Sequence, residues 1–313
     1  MNHLVSRAVV LSAAALLFAV VAPVSVFGAM SDQDLEAVVA RRLKGDRTGA
    51  NLAVAYIEGE QVARAFVAAG EGPKALRIGP DSAFEIGSVS KTMTAALLAE
   101  LILRGEASLD DPLSSWLPEG TRVPDFEGQA ILLRHIVTHT SGLPVLPSRM
   151  PLTDLSNPYA GLTEANLLAS LEDVELSAPP GTQYAYSNFA AMLLSYALAK
   201  RADTDLETFL RDRLFVPLGM DGAYVEKQPE GVDAAAGHTP QDRRPTPPWF
   251  FPTNLSGAGG VRATLDDMVR YVQAQLALSE RGIGTALRLT HERIYEGRPS
   301  LGMLVFRPMW CST

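Results

Sequence analysis

The sequence predicts an α/β protein: a lobe made of an antiparallel sheet with flanking helices, and a helical lobe inserted into it. Three observations carry this prediction. Two β-type runs, 51–57 and 61–69, lie near the N-terminus, and another, Leu301–Phe306, lies near the other end. Between them, from about residue 84 to residue 255, the pattern is helices and loops. Apolar residues make up 47 % of the 313, enough to bury a large core. Both ends then form the α/β lobe (about 29–83 and 256–313), and the helical lobe covers about 84–255.

The elements follow in chain order. Ser31 is a helix cap, with Asp32, Asp34 and Glu36 early and Arg41 and Arg42 late, so the first helix runs from there to Leu43. The two β-type runs meet at Glu58-Gly59-Glu60 and read as a hairpin. Ser88 or a neighbour opens a long helix through Leu103, with Met93, Leu97, Leu98, Leu101 and Ile102 apolar; Arg104-Gly105 ends it. Shorter helices are expected over 132–138, 164–174, 189–202 and 205–214, the last closing at Pro217-Leu218-Gly219-Met220. The stretch 240–252 is rich in proline and reads as a loop. Its Trp249, Phe250 and Phe251 are either a pocket wall or packing between lobes. Gly257-Ala258-Gly259-Gly260-Val261 reads as a tight turn with a strand-like exit. Thr264 then caps a helix from Leu265 to about Leu278. No internal repeat is visible.

Composition narrows the function. A formal net charge of −8 argues against nucleic acid as a partner, which requires a basic stripe. Residues 1–28 read as an export signal: Arg7, then an apolar run from Ala8 to Ala22, then Val26-Phe27-Gly28 ahead of Ala29. The expected location is therefore periplasmic or extracellular, with an N-terminal membrane tether if the leader is not cleaved. The apolar run is short for a spanning helix, which needs about 20 residues. Cys311 is the only cysteine, so no internal disulfide can form. No metal site and no cofactor are expected. His135 and His139 stand four apart, but no Glu follows the first as in a metalloprotease helix.

The residues that carry chemistry lie in two stretches. In Phe84-Glu85-Ile86-Gly87-Ser88-Val89-Ser90-Lys91, a serine and a lysine three apart at a helix start share one face, a turn from each other. An amine can then take the proton of a serine nucleophile. Apolar surroundings would lower the lysine pKa, and the helix start offers the Ser88 N–H to a developing oxyanion. The second stretch is Tyr184-Ala185-Tyr186-Ser187-Asn188, just ahead of an apolar helix. Tyr186 is a phenolate-like base, a proton relay beside the lysine, or a core aromatic. Asn188 contacts a substrate carbonyl, holds Lys91, or caps the helix.

Together with Leu133-Arg134-His135-Ile136-Val137-Thr138-His139-Thr140-Ser141-Gly142-Leu143-Pro144, Pro217-Leu218-Gly219-Met220 and Gly257-Ala258-Gly259-Gly260-Val261, these blocks resemble the serine β-lactamase and penicillin-binding protein superfamily. The likeness runs from about Leu35 to about Phe306 and is greatest to class C β-lactamases and their esterase and D-aminopeptidase relatives. It implies a β-lactamase/transpeptidase-like fold. It also implies that Ser88 is acylated, Lys91 accepts its proton, Tyr186 is the second base and Asn188 contacts the substrate. The substrate would be a small molecule or a peptidoglycan-derived one: a β-lactam, a D-amino-acid peptide or amide, or an ester. His139, in the His-Thr-Ser-Gly block, reads as structural rather than as a relay to Ser88. Glu164-Ala165-Asn166-Leu167 does not match the deacylating glutamate motif of class A enzymes. One departure stands out. Relatives carry a third motif, Lys or His, Thr or Ser, then Gly, after the stretch that Ser300-Leu301-Gly302-Met303 resembles. No such triplet follows residue 262, and His238-Thr239-Pro240 is only a look-alike. The expectation is a hydrolase whose chain is truncated, or else a non-catalytic relative serving as a peptidoglycan-binding scaffold.

Overall fold

A computed structural model describes residues 30–46, 50–68, 78–154, 156–238, 245–277 and 281–295. The leader at 1–28, the run Leu301–Phe306 and Cys311 lie outside the described residues.

Helix α1 (Asp32–Leu43) opens on a reciprocal cap. The Ser31 hydroxyl accepts from Asp34 N, and the Asp34 carboxylate accepts from Ser31 N. Strands β1 (Asn51–Glu58) and β2 (Gln61–Ala68) pair antiparallel, with Glu58 opposite Gln61. Gly59, at φ 60°, makes the two-residue turn between them possible. Leu35 and Val39 of α1 are buried with Ala63 and Ala65 of β2 in a small cluster of their own. Strand β3 (Ser82–Glu85) leads into a 3-10 turn at Gly87–Val89 and then helix α2 (Ser90–Leu103). Every residue from Ser90 to Ala99 is buried, as expected of a helix apolar all round its axis.

After α2 come the short pair β4 (Asp125–Phe126) and β5 (Gln129–Ala130), then helices α3 (Leu133–Val137) and α4 (Glu164–Ala169). Helix α5 (Asn188–Arg201) is the second central helix, buried from Phe189 through Ala199 and packed on α2. Helix α6 (Leu206–Leu210) runs through a π-turn at Arg211–Phe215 into α7 (Val216–Leu218). Pro217 has no N–H to give, which explains why the regular ladder breaks one turn earlier. Gly219 stops α7 in the left-handed conformation, φ 67°.

Small strands follow: β6 (Asp233–Ala234), then β7 (Gly237–His238) paired with β8 (Pro245–Thr246). Strand β9 (Arg262–Thr264) lies antiparallel to β3, and β6 lies parallel to β3 on its other side. Helix α8 (Leu265–Ala277) begins where expected: the Thr264 hydroxyl accepts from Asp267 N, and Asp267 Oδ2 accepts from Thr264 N. Helix α9 (Ile283–Leu289), which the sequence reading passed over, packs on α2 and α8. The mixed α/β class is as predicted. The helical region is interrupted by two-residue strand pairs that the prediction did not contain.

One large hydrophobic cluster joins α2, α5, α6 and the segment 255–263, and the site described next is set into it.

Candidate active site

Ser88 is positioned by what surrounds its turn. Gly87, at φ 53°, bends the chain out of β3. Ser90 then ties the turn down: its fully buried hydroxyl donates to Gly87 O (2.7 Å) and accepts from Val261 N (3.2 Å). The second serine of the motif is therefore a strut between the nucleophile turn and the glycine turn. That glycine turn is itself wedged between the two central helices. A Cβ on Gly257 would lie 2.4 Å from Ser195 Cβ and 2.5 Å from Thr94 Oγ1, so only glycine fits.

The expected one-turn spacing holds. Lys91 Nζ donates to Ser88 Oγ at 3.0 Å, and also to the carbonyl of Ala258 in the glycine turn. Lys91 is only 3 % exposed, and burial brings its amine from 10.5 down to about 7. At neutral pH a large fraction is uncharged and able to take a proton.

Tyr186 closes the arrangement from the other side, its hydroxyl 2.7 Å from Ser88 Oγ. Its ring lies 5.0 Å from Lys91 Nζ. Burial raises the Tyr186 phenol above its ordinary value, against the opposing Ser88 hydrogen bond, and Tyr184 pushes the same way as burial. The neutral phenol is thus the resting form, which favours a relay over a standing phenolate.

Tyr186 is held by the segment that contains His139. His139 adopts φ 53°, in the left-handed region uncommon for a side-chain-bearing residue. Its backbone oxygen accepts from Ala185 N (2.7 Å), and its Nδ1 accepts from Ser187 N (3.1 Å). Its ring centroid lies 4.4 Å from that of Tyr186. Burial, and then nearby Lys91, push His139 down to about 3, so it is neutral at working pH. His139 touches Tyr186 and its two flanking residues, and its buried Nε2 has no hydrogen-bond partner among the described residues. His135 Nδ1 accepts from Leu132 N, so both imidazoles spend a ring nitrogen on backbone.

Asn188 begins α5 but does not cap it. Ser187 does, accepting from Ala190 N (2.9 Å). Asn188 Nδ2 instead lies 3.4 Å from Tyr159 Oη, and its buried Oδ1 has no hydrogen-bond partner among the described residues, so it accepts nothing from Lys91. Of the alternatives open in the sequence, capping and holding Lys91 are not what the geometry shows.

Ser88, Lys91 and Tyr186, separated by 98 residues, thus come together around one hydroxyl. Sequence reasoning missed the Ala258 carbonyl, which no side-chain motif could reveal, and Tyr159, which lies in a loop with no pattern around it.

Residues 35–301 match the Beta-lactamase family. The chain belongs to that family. Curated relatives include the D-alanyl-D-alanine-carboxypeptidase/endopeptidase AmpH of Escherichia coli (strain K12), 32 % identical over 233 residues, which are 72 % of this chain and 57 % of AmpH. A Beta-lactamase of the same strain is 29 % identical over 217 residues, 68 % of this chain and 54 % of the relative. Penicillin-binding protein 4 of Amycolatopsis lactamdurans is 28 % identical over 236 residues, 73 % of this chain and 59 % of the relative. The chain spans a little over half the length of these relatives.

Two solved structures agree on the β-lactamase fold. One is a Beta-lactamase/D-alanine carboxypeptidase from Yersinia pestis complexed with citrate (TM-score 0.63, 27 % identity, 77 % of this chain and 68 % of that one). The other is a class C beta lactamase (TM-score 0.67, 25 % identity, 83 % and 69 %). The family resemblance read from the motifs is borne out.

Proposed function

We propose that this member of the β-lactamase family is a serine hydrolase that works through an acyl-serine intermediate. The observation that carries the reading is a single oxygen, Ser88 Oγ, within hydrogen-bond reach of both Lys91 Nζ (3.0 Å) and Tyr186 Oη (2.7 Å). Lys91, titrating near 7, takes the Ser88 proton as Oγ attacks the substrate carbonyl carbon. The negative charge that forms on the carbonyl oxygen meets the Ser88 N–H, which at a helix start has no intrahelical acceptor. As the bond to the leaving group breaks, Tyr186 gives its proton to the departing nitrogen or oxygen. The phenolate this leaves is reprotonated by the Lys91 ammonium, which stands 5.0 Å from its ring. Asn188, two residues after Tyr186 at the start of α5, is the proposed substrate contact. Water then attacks the acyl carbon, and the same groups return the serine to its starting form.

The substrate class follows the relatives: a D-alanyl peptide, a β-lactam, or an amide or ester of similar shape. The leader-like residues 1–28 support export, which would bring the enzyme to peptidoglycan-derived substrates. A non-catalytic role as a peptidoglycan-binding scaffold is the alternative, and one experiment separates the two. The purified chain is treated with a fluorescent penicillin and, separately, a fluorophosphonate, and the adduct is located by mass spectrometry. Covalent label on Ser88, lost in Ser88→Ala, is the expected result. No label on Ser88 from either reagent would leave the scaffold reading standing in its place.

A further inference from the structure

The chain between β3 and the reactive serine is short. Glu85 closes the strand, and only Ile86 and Gly87 separate it from Ser88. An incomplete ladder holds this piece against β9. Ile86 N donates to Val261 O (3.1 Å), but Val261 N turns away to Ser90 Oγ (3.2 Å), so the 86–261 rung has one backbone bond. On the rung before it, Glu85 stands opposite Arg262. Arg262 spends both of its backbone groups elsewhere: its N–H donates to Tyr224 O (2.8 Å) and its carbonyl accepts from Tyr224 N (2.9 Å). The register pair just ahead of the nucleophile turn is therefore joined through side chains, by an ion pair between Arg262 Nη2 and Glu85 Oε1 at 3.1 Å.

The guanidinium is enclosed. The Arg262 side chain is 6 % exposed and lies against two rings, Phe250 at 5.1 Å and Tyr224 at 5.8 Å. Its Nη1 donates to Val225 O (2.9 Å), and its Nη2 donates to Trp249 O (2.8 Å) as well as to Glu85. Glu85 Oε1 in turn accepts from Trp249 N (2.7 Å), so both backbone groups of Trp249 end on the pair. One planar cation thus fastens β3, the 224–225 segment and residue 249 to β9. A rigid fork of donors can serve such scattered acceptors at once, which an ammonium on a flexible stem cannot.

A buried ion pair adds little net stability, because desolvation offsets the attraction, and apolar side chains of similar volume often serve as well. What this pair fixes is geometry. The strand that carries Arg262 is preceded by Val261, whose N–H holds Ser90, and by Ala258, whose carbonyl accepts from Lys91. The strand that carries Glu85 leads through Gly87 into Ser88. Both sides of the reactive centre start from this one contact. A misplacement of about 1 Å can cost a reaction about 100-fold.

We propose that Glu85 and Arg262 are positioning residues for acylation: their ion pair sets the nucleophile turn against the glycine turn, and so sets Ser88 Oγ against Lys91 and Tyr186. The inference rests on the acyl-serine reading and adds to it the device that keeps the two turns in register.

The test combines kinetics with amide exchange. The double variant Glu85→Gln/Arg262→Met removes both charges and keeps side-chain volume. Acylation of Ser88 by benzylpenicillin is followed by intact-protein mass spectrometry at several concentrations. The limiting rate constant is expected to fall about 10- to 100-fold, while the half-saturating concentration and the melting temperature stay close to those of the unmodified chain. A limiting rate constant within about threefold of the unmodified chain overturns the proposal. Amide hydrogen exchange is read in Arg262→Lys, which keeps the charge and loses the fork, so the answer does not depend on the double variant folding. Faster exchange at 86–92 and at 247–252, with α5 unchanged, is the expected result. Faster exchange at 247–252 alone, at neither segment, or throughout α5 as well overturns it. Failure of the acyl-serine reading looks different: benzylpenicillin leaves Ser88 untouched in the unmodified chain too. The exchange pattern then decides by itself whether the pair holds the nucleophile turn.

Discussion

Lys91 Nζ donates to Ser88 Oγ at 3.0 Å from a position that is 3 % exposed, and the amine that faces the nucleophile titrates near 7. Acylation requires the uncharged amine. Its rate should therefore climb about tenfold per pH unit below 7 and level off above, as measured with a penicillin across pH 5 to 9. A profile that is flat through 7 would remove Lys91 from the role of base.

The same burial makes stability depend on pH. An unfolded lysine titrates near 10.5 and folded Lys91 near 7. Between these values the unfolded chain holds a proton that the folded chain lacks, so stability increases with pH across that window. Denaturant titrations at several pH values should show this slope in the unmodified chain, and Lys91→Met should lose it.

Tyr186→Phe removes one hydroxyl and little else, because the ring keeps its contact with His139 at 4.4 Å. The variant should melt close to the unmodified chain, while acylation falls about 100- to 10,000-fold. A drop of less than threefold would mean that the leaving group finds its proton elsewhere.

His139→Ala leaves the buried Ser187 N–H without its acceptor and opens a space beside Tyr186. The expected loss of stability is about 1–3 kcal/mol. Acylation should fall as well, with the midpoint near 7 retained, since an imidazole that titrates near 3 contributes no limb in that range. A new limb near 6.5 in the unmodified chain would count against the neutral, positioning role.

Glu207 tests the scaffold away from the chemistry. Its Oε1 accepts from three successive backbone N–H groups, Val225 (3.0 Å), Glu226 (3.1 Å) and Lys227 (2.9 Å). Glu207→Ala strands all three and should cost about 2–4 kcal/mol in chemical denaturation, whereas Glu207→Gln, which keeps an acceptor oxygen, should cost clearly less. Equal losses would show that the carboxylate's charge, rather than its oxygen, holds the turn.

What the sequence made legible was what neighbours along the chain decide. The caps at Ser31 and Thr264 are local, and both form as expected. Helices α2 and α5 announce themselves by long apolar runs, and Ser88 and Lys91 meet because one helical turn brings them together. The strand pairs at 125–130 and 237–246 escaped because two residues carry no periodicity. Helix α9 escaped because it begins at Gly282, φ 56°, with no capping side chain. Asn188 was open to being a cap because the helix start could not be fixed to one residue; Ser187 holds that position and frees the amide. The meeting of Tyr186 with Ser88, across 98 residues, belongs to tertiary packing, and family resemblance rather than spacing brought it within view.

The described apolar interior is unequal in its two parts. Four buried side chains, Leu35, Val39, Ala63 and Ala65, hold α1 to the hairpin, while the large cluster runs through α2, which carries Lys91, and α5, which follows Tyr186. Free energies of local opening follow such differences in buried contact. The N-terminal helix and hairpin are therefore the part that breathes first, exchanging amide hydrogens and admitting proteases while the reactive serine, its amine and its phenol stay assembled. Gentle heating would wear this molecule away from its margin before silencing it at its centre.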